Sequence, residues 1–223
     1  MDTTSARSAP DAPASATRGQ RLFARWYPGL MARVERAGQS ELRAAQLREA
    51  RARTLEIGAG NGFSVGHYTE AVTELVLLEP NPHFRRVLRD EVATAAPAAV
   101  QVIDGDVHDL GFPDRSFDTV TASLVFCSVT DPVRALREVH RVLRPGGRFL
   151  FHEHVRGHGA RALLQDLLTP LQRRLGDGCH ANRDFERLLL GSPLELDELV
   201  RTRMPTSLPT IVPLVVGAAR RVD

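Results

Sequence analysis

Three glycines and one acid have the types and the spacing of a nucleotide-binding turn. The glycines at positions 58, 60 and 62 follow an apolar run, and a second apolar run ends in Glu79. Glycine lets the backbone turn tightly and approach a ligand where a Cβ would be in the way. A carboxylate at the end of the second run can accept hydrogen bonds from both hydroxyls of a ribose. This order of strand, glycine turn, helix and acid-ended strand predicts an adenosine-containing cofactor.

The spacing of the glycines differs from that of a dinucleotide fingerprint. The fingerprint G-x-G-x-x-G, counted from Gly58, needs a glycine at position 63, where the chain has Phe63. The motif Glu56-x-Gly58-x-Gly60-x-Gly62 instead resembles motif I of the class I S-adenosylmethionine-dependent methyltransferases. The resemblance implies S-adenosylmethionine as the cofactor, held by Glu56, Gly58, Ala59, Gly60, Asn61 and Gly62. Taken alone, the loop also fits an ordinary strand-to-helix turn.

Later segments fall where the same family places further cofactor contacts. Glu79-Pro80-Asn81 matches its ribose-binding acid, although Asn81-Pro82 also reads as a helix start. Gly105-Asp106-Val107 follows a short apolar run, and the resemblance implies Asp106 near the adenine amine and Val107 on the ring. The sequence Asp104-Gly105-Asp106 also favours a plain turn. Leu124, at the end of the fourth predicted strand, is assigned to the cofactor as well.

Two histidines end the fifth predicted strand. Side chains alternate along a strand, so His152 and His154 share one face and Glu153 takes the other. The histidines could include a general base, form a metal pair, or be polar residues satisfied at a strand end. A metal needs at least a third ligand, for example His158 or His180, so we predict no metal site. His154 is the candidate for a base or orienting group.

Three short segments together resemble one branch of this family, the methyltransferase-like 7 proteins. These are thiol S-methyltransferases of animals with bacterial relatives, and the segments are Leu124 to Val129, Glu153-His154-Val155, and Asp177-Gly178-Cys179 with Arg183. The resemblance runs from about Phe23 to Arg220 and implies a small-molecule thiol as the methyl acceptor. The animal enzymes begin with a membrane-anchoring apolar segment that we do not find here, so no membrane association is expected.

The chemistry of sulfur favours the same acceptor. A thiol with a pKa of about 8.5 is partly ionised near neutral pH, whereas a phenol, near about 10, needs a well-placed base. Methylation of oxygen, nitrogen or carbon in a specialised metabolite, or cofactor binding without methylation, stays an alternative. We assign Trp26, Cys127, His152 and His180 to the acceptor side. Cys127 and Cys179 are expected to be packing residues rather than nucleophiles, and the segment around His180 also fits a helix-capping turn.

An apolar stripe at helical spacing runs from Leu22 to Val34. Pro28-Gly29 interrupts it, which predicts two short helices or a kinked one. The stripe either packs on the sheet or forms a lid over the cofactor. As lid residues, Trp26 would supply an apolar wall and Tyr27 a hydroxyl near the methyl donor.

Strands and helices alternate over the rest of the chain. We predict strands at 53–58, 74–79, 100–104, 117–123, 147–154, 194–203 and 212–219, and helices at 62–71, 82–95, 131–144, 160–175 and 182–190. This alternation predicts an α/β fold with a doubly wound, mostly parallel, Rossmann-like sheet. The resemblance makes it seven-stranded, with an antiparallel last strand from Ile211 to Ala218. The predicted divisions are a disordered tail at 1–18, an N-terminal helical lid at 19–52 and the cofactor-binding domain at 53–223.

Composition narrows the class of protein. The chain has 223 residues, 43% hydrophobic and 25% charged, which suits one globular domain. All 29 basic residues are arginine, which excludes lysine Schiff-base chemistry, and a net charge of +2 is too small to favour nucleic acid. We find no signal peptide and no apolar run that could cross a bilayer. The 2 cysteines match no zinc or redox spacing, so we expect a reduced, cytoplasmic protein.

Overall fold

The computed structural model describes residues 18–95, 99–206 and 210–223. The predicted tail at 1–18 lies outside these residues except for Arg18. The helices are α1 Arg18–Val34, α2 Ser40–Leu47, α3 Pro82–Ala95, α4 Pro132–Val142, α5 Ala160–Leu175 and α6 Phe185–Leu190. The strands are β1 Ala52–Ile57, β2 Val72–Leu78, β3 Val100–Ile103, β4 Phe117–Ser123, β5 Leu143–His154, β6 Glu195–Arg203 and β7 Pro213–Arg220. Within the described ranges, we find no helix with the length and apolar character that a membrane span needs.

The seven strands form one sheet in the order β3-β2-β1-β4-β5-β7-β6. Strands β1 to β5 pair in parallel, and β7 runs antiparallel between β5 and β6. This confirms the predicted seven-stranded Rossmann-like sheet, including its antiparallel strand near the carboxyl end. The strand order reverses at β1, between β2 and β4, so a ligand crevice is expected at the carboxyl ends of these strands.

Helices cover both faces of the sheet, which explains why its strands are almost continuously apolar. Along β2, Leu75 and Leu77 pack into the core on one face, whereas Val76 and Leu78 pack into the core on the other. A cluster of buried aromatic rings fills the second core beneath α4 and α6; its members are Phe126, Phe149, Phe151 and Phe185. The two cores hold the strand ends that carry the predicted site in fixed positions.

The N-terminal helices differ from the prediction. Helix α1 continues through Pro28 to Val34, so the alternative of two short helices separated at Pro28-Gly29 was wrong. The break lies at Gly38, within a π-helical segment Glu35–Gln39, where the backbone has a φ of 119°. Glycine adopts this conformation without a Cβ clash, and the chain therefore bends there into α2.

The helix predicted at 62–71 is also wrong. The structure has only a 3-10 turn, Val65–His67, in this segment. Gly62 has a φ of +93°, outside the helical region, and Gly66 lowers the helix propensity further. Tyr68 then leaves the turn in an extended conformation, and its hydroxyl donates to Glu56 Oε2 at 3.0 Å.

Candidate active site

The glycine turn after β1 lies at the carboxyl edge of the sheet. Gly58 has a φ of +66°, and a Cβ at this position would come within 2.6 Å of the Cγ2 atom of Val125. Gly60 has a φ of +58°, but a Cβ there would meet no protein atom within 4 Å. Residues other than glycine rarely adopt these backbone angles. The turn therefore brings its backbone against the segment after β4 and leaves open space beside Gly60.

Glu79, at the end of β2, is joined to this turn. Its Oε2 oxygen accepts from the Gly60 amide at 2.7 Å, and its Oε1 oxygen accepts from the Asn81 amide at 2.8 Å. Burial raises the pKa of this carboxyl to about 7, although the two amides oppose the shift. Each oxygen keeps a second lone pair, so the carboxylate can still accept hydrogen bonds from a ligand.

Arg85, on α3, holds the ends of β2 and β3 together. Its Nη1 atom donates to the carbonyl oxygens of Glu79 and Pro80, at 2.7 and 2.9 Å, and to Asp104 Oδ1 at 2.8 Å. The guanidinium is buried, so it relies on these acceptors for its hydrogen bonds. Sequence reasoning missed this residue, because an arginine in a helix with several others carries no local signal.

Asp106 follows β3 with an exposed side chain. Its Oδ1 accepts from the backbone amide of His108 and also lies within hydrogen-bond distance of the His108 ring nitrogen Nδ1. These two contacts lower the pKa of the Asp106 carboxyl. The Nε2 atom of His108 in turn accepts from the amide of Asp131, the residue that caps α4. His108, which the sequence analysis did not single out, thus links the loop after β3 to the loop after β4. Val107 is buried beside them.

The segment after β4 is held by Glu153 of β5. Leu124 has a φ of +60°, an angle that is uncommon for a branched side chain, and the next two amides both donate to Glu153 Oε1. These amides belong to Val125 and Phe126, and the distances are 2.8 and 3.0 Å. Burial raises the pKa of Glu153 to about 8, and its Oε2 has no hydrogen-bond partner among the described residues.

Two cysteines and one histidine meet next to this segment. Cys127 follows β4, His154 ends β5, and Cys179 lies in the turn after α5. One ligand atom from each of the three side chains lies within 4.8 Å of the other two, and Cys179 Sγ is 3.4 Å from His154 Nε2. The hydrogen bond with Cys179 and the charge of His154 hold the pKa of Cys127 well below its ordinary value. Burial opposes the charged form of His154, yet its pKa is raised because Cys127 stabilises the imidazolium.

One cavity of about 1160 Å³ connects these groups. Its wall on the N-terminal side is helix α1, where Phe23, Trp26 and Tyr27 pack with Phe84 of α3. Helix α5 adds the apolar side chains of Leu171 and Leu175 to the lining. The predicted site residues that line the cavity are Trp26, Tyr27, Gly58, Gly60, Glu79, Pro80, Gly105, Asp106, Val107, Leu124, Cys127 and His154.

The other predicted site residues do not line the cavity; they are Glu56, Ala59, Asn61, Gly62, Asn81, His152 and His180. Among the motif residues, Glu56 is buried and paired with Tyr68, and Gly62 faces Leu88 and Glu91 of α3. Asn81 accepts the His83 amide, as a helix start would require. Glu56, Gly62 and Asn81 therefore make structural contacts and do not face the cavity.

The two acceptor-side histidines also lie apart from the cavity. His152 is fully buried beneath the N-terminal helices, where its Nε2 is 2.7 Å from Gln39 Nε2. Burial and the charge of Arg43 lower its pKa to about 3, so the ring is neutral. His180 contributes its backbone amide, which donates to the Cys127 carbonyl at 2.9 Å. This geometry gives no support to a direct contact of either ring with the acceptor.

Comparison with known proteins identifies the family. Residues 55–151 match the family model described as a methyltransferase domain. The human thiol S-methyltransferase TMT1B is 33% identical over 171 residues, which cover 74% of this chain and 69% of the human protein. The chain belongs to the TMT1 family of S-adenosylmethionine-dependent methyltransferases. The rat TMT1B is 36% identical over 134 residues, 58% of this chain and 54% of the rat protein, so that match spans about half of the rat protein.

The fold agrees with solved methyltransferases. An S-adenosylmethionine-dependent methyltransferase of Mesorhizobium loti has a TM-score of 0.61 to this chain and 22% sequence identity. The superposition covers 83% of this chain and 98% of that structure. These structures confirm the predicted fold, and the family model with the human relative confirms the methyltransferase class and its S-adenosylmethionine cofactor.

The residues of this TMT1-family chain fit the cofactor. The open space beside Gly60 and the remaining lone pairs of Glu79 suit a ribose and the adjoining part of S-adenosylmethionine. Asp106, exposed at the cavity wall, can accept from an amine, and Val107 offers an apolar surface to a ring.

Proposed function

We propose that this enzyme methylates the sulfur of a small, apolar thiol. The observation that carries the proposal is the continuity of the cavity. The cavity lining that includes Glu79 and the glycine turn continues to Cys127 after β4 and to His154 at the end of β5. The apolar α1 wall faces both parts. The identity to thiol S-methyltransferases supports the same acceptor.

The residues divide the work as follows. Glu79 and the turn at Gly60 bind the ribose side of the cofactor, and Asp106 with Val107 binds its adenine. Trp26 and Tyr27 exclude water, and His154 acts on the acceptor sulfur. S-adenosylmethionine supplies a methyl group on a positively charged sulfur. The acceptor thiol loses its proton to water, and its thiolate sulfur bonds to the methyl carbon as the old carbon–sulfur bond breaks, which leaves two neutral thioethers.

A thiol also makes the smallest chemical demand on such a site. Its pKa of about 8.5 makes the thiolate accessible near neutral pH, and alignment of the reacting atoms can then supply most of the rate enhancement. A phenol or alcohol would need a stronger base in direct contact with the hydroxyl.

The acceptor can be tested with three compounds that differ in one atom. Benzenethiol, phenol and aniline are incubated with the enzyme and cofactor, and S-adenosylhomocysteine and the methylated product are quantified by mass spectrometry. We expect product from the thiol. Turnover of phenol or aniline at an equal rate would contradict a thiol-directed site and would favour oxygen or nitrogen methylation.

The role of His154 needs a separate measurement. His154→Gln should lower turnover of the thiol by at least about 100-fold, the usual scale for a group that acts on a reacting atom. Cofactor affinity, measured by calorimetry, should stay unchanged, because the ring is not among the groups assigned to the cofactor. His158→Gln, which changes an exposed histidine four residues away, is the matched control.

We further propose that the protein works in a reducing compartment, the cytoplasm. Cys127 and Cys179 are both free thiols beside the acceptor end of the cavity. An oxidising compartment would expose this pair to disulfide formation.

A further inference from the structure

The cluster of Cys127, His154 and Cys179 has no explanation in cofactor binding. The three side chains come from different parts of the chain: the turn after β4, the last residue of β5 and the turn after α5. Cys127 and His154 are buried, and Cys179 is partly exposed. Among the described residues, this is where three side chains able to ligate a metal come together.

The distances within the cluster suit a tetrahedral metal ion. Zinc binds sulfur at about 2.3 Å and histidine nitrogen at about 2.0–2.1 Å, so tetrahedral geometry separates sulfur from nitrogen by about 3.6 Å and sulfur from sulfur by about 3.8 Å. The Cys179 Sγ to His154 Nε2 distance is 3.4 Å, and all three ligand atoms lie within 4.8 Å of one another. Small side-chain rotations would complete the geometry.

The donor set also selects the metal. Two thiolates and an imidazole are soft or borderline ligands that favour zinc over magnesium or calcium. Two thiolates balance the two positive charges of the ion, so a neutral complex can form in a largely buried place. Two cysteines and one histidine are an established ligand set for catalytic zinc, in which the fourth position stays open.

The backbone around the ligands is already held in place. The Cys127 carbonyl accepts from the His180 amide, and the preceding amides are fixed by Glu153. Arg183 donates to the carbonyl oxygens of Phe126 and Val129 on either side of Cys127. Ser128 Oγ lies 3.5 Å from Cys127 Sγ and can donate to a thiolate. Such supporting contacts are typical around metal ligands, because they orient the first shell.

We propose that Cys127, His154 and Cys179 form a zinc site whose fourth position opens into the cavity and takes the acceptor sulfur. All three residues line the cavity, so the position that the protein leaves free faces the acceptor space. When a thiol binds there, its S–H bond breaks, the proton passes to water, and a sulfur–zinc bond replaces a bound water. A metal-bound thiol is deprotonated outright. His154 would then act on the acceptor through the metal.

The zinc site stands on the geometry of the cluster, whereas the role of its open position rests on the proposed thiol methylation. The sequence could not indicate the site, because its ligands are separated by 27 and 25 positions and follow no short metal-binding spacing. Only the fold brings the ends of β4 and β5 to the turn after α5.

The test uses cobalt(II) as a spectroscopic probe for zinc. The reduced, metal-free enzyme is titrated with cobalt(II), and we expect one equivalent to give sulfur-to-cobalt charge-transfer bands and the visible bands of a tetrahedral site. Cys127→Ser and Cys179→Ser should each weaken the charge-transfer bands, since each removes one thiolate. His154→Gln should keep sulfur ligation but bind cobalt less tightly. His158→Gln should match the wild type, and circular dichroism confirms that each variant is folded.

Two further readings separate the parts of the proposal. Zinc should protect both thiols from alkylation by iodoacetamide, and benzenethiol added to the cobalt enzyme with S-adenosylhomocysteine should strengthen the charge-transfer bands. No tetrahedral cobalt spectrum in the folded, reduced wild type would overturn the zinc site. A cobalt spectrum that thiols leave unchanged would overturn the role of the fourth position.

These outcomes are distinguishable from failure of the proposed function. An enzyme that methylates benzenethiol but binds no cobalt keeps the thiol activity and loses the zinc site. An enzyme that binds cobalt through both cysteines but methylates only phenol or aniline keeps the metal site and loses the thiol acceptor.

Discussion

The backbone amide of Gly60 donates a hydrogen bond of 2.7 Å to the Oε2 oxygen of Glu79. This bond joins the glycine turn after β1 to the end of β2 at the point where the strand order of the sheet reverses. The carboxylate that is assigned to the cofactor therefore also fixes the loop that surrounds the cofactor. Because one group performs both tasks, its ionisation should be visible in cofactor binding.

Glu79→Gln should weaken cofactor binding and remove its pH dependence. The carboxyl has a pKa of about 7 because it is buried, so in the wild type it gains a proton as the pH falls from 8 to 6. Cofactor affinity should fall over this range, since a protonated carboxyl is a poorer acceptor. At pH 8 the variant should lose about 10- to 100-fold in affinity, the value of hydrogen bonds to a charged group. Calorimetry at pH 6, 7 and 8 gives both results.

A matched control lies on the same strand. Glu74→Gln changes a partly exposed acid that pairs with Arg53, and its cofactor affinity should follow the wild type at every pH. A wild-type affinity that stays flat between pH 6 and 8 would argue against an ionising Glu79 in the binding site.

Gly58→Ala should destabilise the protein and weaken cofactor binding. The new Cβ would lie 2.6 Å from Val125 Cγ2, and alanine would have to adopt a φ of +66°. We expect a loss of about 1–3 kcal/mol in the free energy of unfolding, the scale of a residue held in a disfavoured backbone region. Urea unfolding measures this loss. In Gly66→Ala, the Cβ meets nothing within 4 Å, so that variant should be at least as stable as the wild type.

Glu153→Gln should change how stability depends on pH. The pKa of Glu153 is raised from 4.5 to about 8 by burial, so the folded state holds this proton more tightly than the unfolded state. Its contribution to stability is present below the unfolded pKa and is lost as the pH rises through about 8. Glutamine keeps an oxygen for the amides of Val125 and Phe126 and does not ionise. Relative to the variant, the wild type should lose up to a few kcal/mol between pH 5 and pH 9.

Urea unfolding of both proteins at several pH values gives the comparison. Stability curves that run parallel across this range would show that Glu153 does not titrate there. Glu153→Ala should be less stable at every pH, because it leaves two buried amides without an acceptor.

Local chemistry explains which parts could be predicted from sequence. Gly58 and Gly60 can be recognised from the sequence, because few other residues tolerate their backbone angles. Glu79 can be recognised because it ends an apolar strand. Alternation correctly put His152 and His154 on one face. Their depth could not be predicted, since His152 meets Gln39 across 113 positions of sequence.

Tertiary contacts explain what the sequence did not reveal. The approach of Cys127 to Cys179 depends on how α5 returns to the sheet, and the angle of Leu124 depends on Glu153 of the neighbouring strand. The predicted helix at 62–71 failed because Gly62 and Gly66 outweigh the apolar pattern around them.

Trp26 is the chain's single tryptophan, and it lies on the α1 wall of the cavity with 39% of its surface exposed. The tryptophan fluorescence of the protein therefore reports on the α1 wall of the cavity alone. A ligand that displaces water from the α1 wall should shift the emission to shorter wavelength. The enzyme thus contains its own optical reporter, and the entry of cofactor and acceptor can be timed by stopped-flow without any label.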